Sequence, residues 1–393
     1  MRRDSEVVIF WLTAACAAAS LISIAATEIL LAAAVLLWIV FRPVPVRWPS
    51  YFLPLAVFVA MTFLSLAMSP EPAKGWHAAQ KVVLYPIGLL AAAFVTTEER
   101  ARNAYKLLLA AGSISAAIAI VQFPLAQLKY LRTGELADDP TLLNRITGPL
   151  GHWTTFSGVQ LLVWCAAVPA IMFLSRKWIA AIFTMGIAIV LGNTRGVWLG
   201  AAAAFAFVAF ALPRRVVATI VIPMLVVAAL ASPFIYRRVA MSFDKRLSTN
   251  YSRVAYLTVG IEMIKDHPLF GVGPERVKEE FPKYYTRNDI DFYGHLHNNI
   301  IQIGAERGLL CLAAFLWFIV ELYRSLLRLF RENEGDSRWV ALGSLAALTG
   351  LIVAGLTEFN FGDSEVLILF FFLISIPFGL ATHVQKDPYR ESR

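Results

Sequence analysis

Apolar stretches close to twenty residues long recur in this chain from one end to the other, and no other feature constrains the fold as much. A membrane-spanning helix needs about 20 mostly apolar residues, somewhat fewer when neighbouring helices shield its ends. By that criterion there are about twelve, at 7–26, 28–41, 51–68, 77–95, 104–123, 153–174, 177–191, 196–212, 215–235, 298–322, 339–357 and 364–384. The second and seventh are short enough to be half-buried helices instead. Composition supports the membrane assignment. Of the 393 residues 58% are hydrophobic and only 16% charged, which excludes a soluble domain of this length. The expected fold is an all-α polytopic membrane protein. The start, MRRDSEVVIFWLTAACAAAS, has the charged head and apolar run of a signal peptide. Further apolar segments follow almost at once, so it reads as a signal anchor.

Lysine and arginine set the orientation. With the N-terminus cytoplasmic, the inside segments carry Arg2 and Arg3, Arg42 and Arg47, Arg100, Arg102 and Lys106, Arg176 and Lys177, Arg214 and Arg215, Arg324, Arg328, Arg331 and Arg338, and finally Lys386, Arg390 and Arg393. Every inside loop is then basic, as the positive-inside rule requires. The formal net charge of +8 follows largely from topology and calls for no nucleic acid. Both termini are expected in the cytoplasm.

The outside segments are SPEPAKGW (69–76), a loop near 124–152, GNTRG (192–196), the long stretch 236–297 between the ninth and tenth predicted spans, and TEFNFGDSE (357–365). The long stretch suits two or three short helices but not an independent core. It is expected to lie as a cap on a single membrane-embedded domain, 1–393. Cys16, Cys165 and Cys311 all fall inside predicted spans, which excludes a disulfide framework in the outside loops and leaves them as small core residues.

Candidate chemistry collects in these outside segments. Arg195, in LGNTRGVWLG, sits at the junction of two spans, where a charge needs an anionic partner or a path to water. It reads either as a snorkelling interface arginine or as a phosphate ligand gripping with two parallel hydrogen bonds. Gly192 and Gly196 on either side would let the backbone bend closely around a ligand. Arg253 opens an amphipathic segment, NYSRVAYLTVGIEMIKDHP, whose Val254, Leu257, Ile261 and Ile264 share one helical face. That face suits the membrane surface while Arg253 points toward the site. The alternative is a solvated arginine among Arg237, Arg238, Lys245 and Arg246. DHPLFGVGPERV resembles a phosphate loop only weakly, lacking the lysine and the strand-to-helix setting.

The densest cluster is GHLHNNIIQIGAERGLL. His295 and His297 precede an apolar helix that Asn298 would cap. Alternate histidines are a metal pattern, but no nearby Cys, Asp or Glu completes a ligand set. A general base is the more natural role beside arginines, since free imidazole titrates near pH 6.5. A helix-capping or interface-anchoring histidine is the remaining reading. Arg145 and His152, in NRITGPLGHWTTFSG, join the outside set. Glu306, Glu358 and Asp363 are the acids that would orient a histidine or pair with the arginines. Glu306 lies within a span, where an acid is usually paired, and Arg307 beside it is a candidate.

TRGVWLG, the SRxxY of 252–256 with its amphipathic helix, HPLFGVGP and HLHNNIIQIGAERGLL, in that order and spacing, resemble the O-antigen ligase and polymerase superfamily over roughly residues 140–365. The span count and length are similar to those of an O-antigen ligase. The resemblance implies a membrane glycosyltransferase of the GT-C type, in the bacterial inner membrane, with a helical periplasmic loop region and a periplasmic active site. The implied reaction moves a polysaccharide from undecaprenyl diphosphate to a sugar hydroxyl of lipid A-core oligosaccharide. Residue by residue, it implies that Arg195 and Arg253 are the essential arginines and His297 the essential histidine. Tyr256 stands where relatives often have tryptophan.

The chemistry agrees with that expectation. Two arginines can offset the charge growing on a departing diphosphate, a task often given to metal ions, so neither metal nor cofactor is expected. His297 would deprotonate the acceptor hydroxyl, and a single displacement would invert the anomeric centre. Arg145, Arg195, Arg253, His295 and Asn298 are the expected substrate-binding residues. A polymerase of the same superfamily, accepting a second lipid-linked glycan, is the alternative. A secondary transporter is more remote, because its polar groups would sit near the midplane on broken helices, often in repeated halves.

Overall fold

The computed structural model describes residues 2–46, 48–133, 145–230, 248–287, 289–290, 292 and 294–384. Arg47, Arg237, Arg238, Lys245, Arg246, Lys386, Arg390 and Arg393, and the first part of the expected 236–297 loop, lie outside the described residues.

The helices in chain order are α1 (Arg2–Ala19), α2 (Ile24–Phe41), α3 (Phe52–Met68), α4 (Pro72–Gln80), α5 (Pro86–Phe94), α6 (Glu98–Thr133), α7 (Trp153–Ala170), α8 (Ile179–Leu191), α9 (Arg195–Ala209), α10 (Arg214–Leu230), α11 (Ser248–Asp266), α12 (Val277–Tyr284), α13 (Asn299–Glu332), α14 (Gly335–Ala354) and α15 (Ser364–Val384). No strand occurs among the described residues. Among the described residues six segments are long and apolar enough to cross a membrane: Ile24–Phe41, Pro72–Phe94, Glu98–Leu125, Asn299–Glu332, Gly335–Ala354 and Ser364–Ala381. Phe52–Met68 and Arg195–Ala209 are shorter apolar helices. The protein is a polytopic helical membrane protein.

Burial separates the helices into inner and outer ones. α15 holds Phe370, Phe371, Phe372, Leu373 and Ile374 fully buried, and α7 is buried from Phe156 to Ala170. A helix apolar and covered on all sides belongs at the centre of a bundle. Helix α14 packs on α7, α9, α13 and α15, while α13 lies along α3, and α15 along α5. Gly200 and Gly350 let α9 and α14 approach closely, since a β-carbon on Gly200 would lie 2.6 Å from the Gly350 carbonyl oxygen. Small residues at helix contacts are how membrane bundles gain dispersion energy when lipid offers no hydrophobic incentive. Helix α2 is peripheral and leaves Ile29, Leu36, Ile39 and Val40 exposed, a surface that only hydrocarbon solvates well.

Several predicted boundaries shift. The stretch expected as one span at 77–95 is broken into α4, a 3₁₀ turn Lys81–Leu84, and α5, which begins at Pro86. Proline suits a first helical turn because its missing N–H has no intrahelical acceptor there. Helix α6 runs through Pro124 to Thr133, so the loop expected from 124 starts later. The long helix α13 is interrupted at Gly308, with φ 77° and ψ 174°.

Residues of the 236–297 segment form a second hydrophobic cluster, of Tyr256, Val259, Met263, Val272, Val277, Phe281 and Leu296 with Ala305 of α13. This is the cap. It seats on α13 through Gly260, where a β-carbon would collide with Ile301. Val254, Leu257 and Ile261 of α11 remain exposed. Ile264 departs from that stripe and packs toward Gly304. At the other end of the bundle, Arg100 pairs with Glu6 at 2.7 Å, and Arg102 with Asp336. The three cysteines are free and buried.

Candidate active site

The turn beyond the end of α14 fixes the segment 295–299. Asn298 caps α13, its side-chain oxygen accepting from the N–H groups of Ile300 and Ile301 at 2.9 and 3.1 Å. Its amide nitrogen donates to the Leu356 carbonyl at 2.9 Å. Asn299 donates to Asn360 at 2.7 Å and accepts from the Phe361 N–H at 3.2 Å. Gln302 takes the Leu296 N–H at 2.6 Å. A fully bonded network whose Asn299, Gln302 and Asn360 are buried holds one geometry. Its product is a fixed His297, held in the left-handed region at φ 51°.

His297 Nδ1 lies 2.7 Å from Glu358 Oε1. Burial alone would raise the Glu358 pKa. The hydrogen bond from His297, together with the charges of His297, His295 and Arg253, outweighs it and holds the carboxyl down to about 2. An ionised carboxylate accepts and cannot donate. His297 Nδ1 therefore carries a hydrogen, and in the neutral ring Nε2 presents its lone pair. The ring stacks on Tyr256 at 5.7 Å and 15°, and Tyr256 is wedged edge-on against Phe281 and Phe292.

His295 comes to the same carboxylate, with Nδ1 3.7 Å from Glu358 Oε1 and its ring 4.1 Å from that of His297. Its Nδ1 is buried without a hydrogen-bond partner. Burial, reinforced by the His297 charge, takes its pKa down to about 4 despite Glu358. Arg253, from the first turns of α11, is close enough to act on both Glu358 and His295. Arg145 stacks its guanidinium 5.0 Å over Trp153 and acts on His152. His152 accepts from or donates to Thr154 at 2.7 Å, and burial lowers its pKa. Arg195 is the first residue of α9. Gly196 beside it is packed so closely on Thr357, the neighbour of Glu358, that a β-carbon would collide. The structure thus gathers Arg253, His295 and His297 around Glu358, with Asn298 next to His297, sets Arg145 beside His152, on which Glu358 also acts, and brings the α9 start carrying Arg195 to the same turn.

Three readings change. Gly192 and Gly196 make their close approaches to Ser157 and Thr357, and the left-handed residue of the turn is Asn193, at φ 52°. GVGP is a docking turn for the break in α13. The N–H groups of Val272 and Gly273 donate to the carbonyls of Ala305 and Glu306, both at 2.9 Å, and Leu309 returns a bond to Pro268 at 2.7 Å. Glu306 is engaged by that turn and by its own helix, accepting from the Glu275 N–H at 3.0 Å and from Gln302 at 2.8 Å. Arg307 Nε stands farther off, 3.9 Å from Glu306.

In the sequence Glu358 was one of three acids able to orient a histidine, and Glu306, within a span, stood out more; the structure makes Glu358 the partner of His297. The missing signal was the pairing of the two asparagine-bearing turns, HNN and EFN, which bond to each other. Tyr256, read as a departure from a pattern, forms one wall of the histidine. Among the described residues His295, His297 and Glu358 are also the group able to hold a metal ion, their ligand atoms lying within 4.8 Å of one another.

A polytopic helical membrane protein with a carboxylate-oriented histidine and arginines at one end of its bundle has the parts of an acid–base transfer enzyme. Residues 180–316 match the family model described as O-antigen ligase, in accord with the resemblance drawn from the motifs. The matched segment carries Arg195, Arg253, His295, His297 and Asn298. No curated protein matches the chain.

Proposed function

We propose that the protein is an O-antigen ligase, transferring a polysaccharide from undecaprenyl diphosphate to a sugar hydroxyl of lipid A-core oligosaccharide. The reading places about twelve spans in a GT-C-type domain of the inner membrane, with cytoplasmic termini, a cap from 236–297 and the site on the periplasmic face. The observation that carries it is the 2.7 Å contact between His297 and Glu358, beside Arg253.

In this mechanism Nε2 of His297 takes the proton of the acceptor hydroxyl as its oxygen attacks the anomeric carbon. Glu358 fixes the tautomer and stabilises the imidazolium that results. The bond from the anomeric carbon to the diphosphate oxygen breaks, and Arg195 and Arg253 hold the charge that oxygen gains. Arg145 and His295 contact substrate, and Asn298 contributes by holding His297 in place. One displacement inverts the anomeric configuration, and the arginines replace the metal ion that such a leaving group often uses.

The test is transfer in vitro by the purified chain, with an undecaprenyl-diphosphate glycan and lipid A-core, with and without chelator. Transfer to lipid A-core that survives chelation and falls about 10² to 10⁴-fold in His297→Ala and about 10² to 10³-fold in Arg195→Ala supports the mechanism. Lengthening of the lipid-linked glycan with no change in lipid A-core makes the protein a polymerase instead. Retention of the anomeric configuration rules out the single displacement.

A further inference from the structure

Around Glu358 an unusual arrangement is left over once the base is assigned. Two imidazole Nδ1 atoms face one carboxylate oxygen, at 2.7 Å from His297 and 3.7 Å from His295. Only the first is a hydrogen bond. The second nitrogen is buried and has no hydrogen-bond partner, although a buried polar atom left unmade costs about 1–3 kcal/mol. The group therefore offers two nitrogens and one oxygen, on a backbone that the asparagine network holds fixed.

We propose that His295 Nδ1, His297 Nδ1 and Glu358 Oε1 form an inhibitory site for Zn²⁺ or a divalent transition metal of like size. The donor set is the two-histidine, one-carboxylate type that borderline metals favour, while Mg²⁺ and Ca²⁺ prefer all-oxygen sites. Zn–N and Zn–O bonds of about 2.0–2.2 Å in a tetrahedron set ligand atoms roughly 3.4 Å apart. The observed 2.7 and 3.7 Å fall on either side of that separation, and a ligand atom from each of the three residues lies within 4.8 Å of the other two, so side-chain shifts of about 1 Å complete the site. The nearby charge of Arg253 opposes a dication, which keeps the site from being a permanent structural one.

The inhibitory part rests on the ligase reading above and comes from proton bookkeeping on one ring. Neutral imidazole carries one hydrogen. In the metal-free site it sits on Nδ1 and donates to Glu358, leaving Nε2 as the base. Metal bound at Nδ1 takes that lone pair, so the hydrogen moves to Nε2 and no proton leaves the ring. The base becomes a donor that cannot accept the acceptor's proton. The carboxylate is drawn to the metal at the same time.

The test separates binding from activity. The chain, purified in detergent without a histidine tag and without substrate, is titrated with Co²⁺, read by its visible absorption, and then with Zn²⁺. The expected result is one tetrahedral Co²⁺ per chain, displaced by Zn²⁺, with at least about tenfold weaker binding in His295→Asn and in Glu358→Gln. His77→Ala, which removes the exposed histidine 3.1 Å from Glu275, should leave the signal intact. Size-exclusion elution and melting of each variant show that it is folded. No tetrahedral signal, equal binding in His295→Asn, or loss of the signal in His77→Ala overturns the site. In the second arm, transfer by the wild type should fall with Zn²⁺ and recover with chelator. Tight binding with undiminished transfer overturns the inhibitory role. Tight binding in a chain with no transfer activity overturns the ligase reading while supporting the metal site.

Discussion

Glu358 is a costly residue for its location, a carboxylate with a 13% exposed side chain, and the cost is offset by the contact with His297. Glu358→Gln keeps the shape but lets either ring nitrogen carry the hydrogen, so transfer should fall about 10² to 10⁴-fold with donor affinity little changed. Comparing kcat with KM checks this, and a rise in KM alone would make Glu358 a binding residue. Asp363 behaves in the opposite sense. Burial, only partly opposed by the Thr155 hydrogen bond at 3.0 Å, pushes its pKa up to about 7, against about 3.9 in an unfolded chain. The folded state holds this proton more tightly, so its stabilising effect is full below about pH 4 and is lost as pH rises through about 7. Melting of the wild type should therefore decline over that window, and Asp363→Asn should flatten the decline. Glu358, held down to about 2, contributes stability present above about pH 4.3 and lost only as pH falls toward 2.

The interruption of α13 and the GVGP turn form a single device. Gly308 occupies a region of φ and ψ that is essentially restricted to glycine. A β-carbon there would run into the Leu269 carbonyl, and one on Gly271, at φ 68°, into the Glu306 backbone. Gly308→Ala and Gly271→Ala should each destabilise by more than about 2 kcal/mol, measured by thermal unfolding in detergent. Since both open the same contact, the double variant should cost clearly less than the sum; additive losses would mean two independent defects. Little of this device was visible in the sequence. A lone glycine in an apolar helical run reads as tolerated, and nothing local says that carbonyls 305 and 306 accept from a turn over thirty residues earlier in the chain. The apolar runs, by contrast, did announce helices, because the backbone must satisfy itself in lipid and a helix does so within one segment. The arginines and paired histidines were legible for a related reason, since charge at a membrane boundary needs a purpose. Their partner Glu358 was not, because its role depends on a contact across 61 residues.

At the scale of the whole molecule the two hydrophobic clusters divide labour. The bundle buries α7, α14 and α15 nearly completely, while the cap rests on the much smaller set around Tyr256, Met263 and Phe281. Phe281 lies face to face with Phe292 at 4.0 Å, and both touch the Tyr256 that backs His297. Local opening free energy scales with the apolar contacts broken, so the cap should open without the bundle. Amide exchange should accordingly be faster across 248–287 than in α14 and α15. Phe281→Ala removes a buried ring whose loss costs about 3–5 kcal/mol in a well-packed core. The expected outcome is a cap that exchanges faster still, transfer activity reduced at least tenfold as His297 loses its backing, and an unchanged main unfolding transition. A main transition that falls with the cap would show instead that cap and bundle unfold as one cooperative unit. In that case the histidine is held by the whole membrane domain, and access of a lipid-linked donor would have to be lateral, between helices, with no part for cap opening.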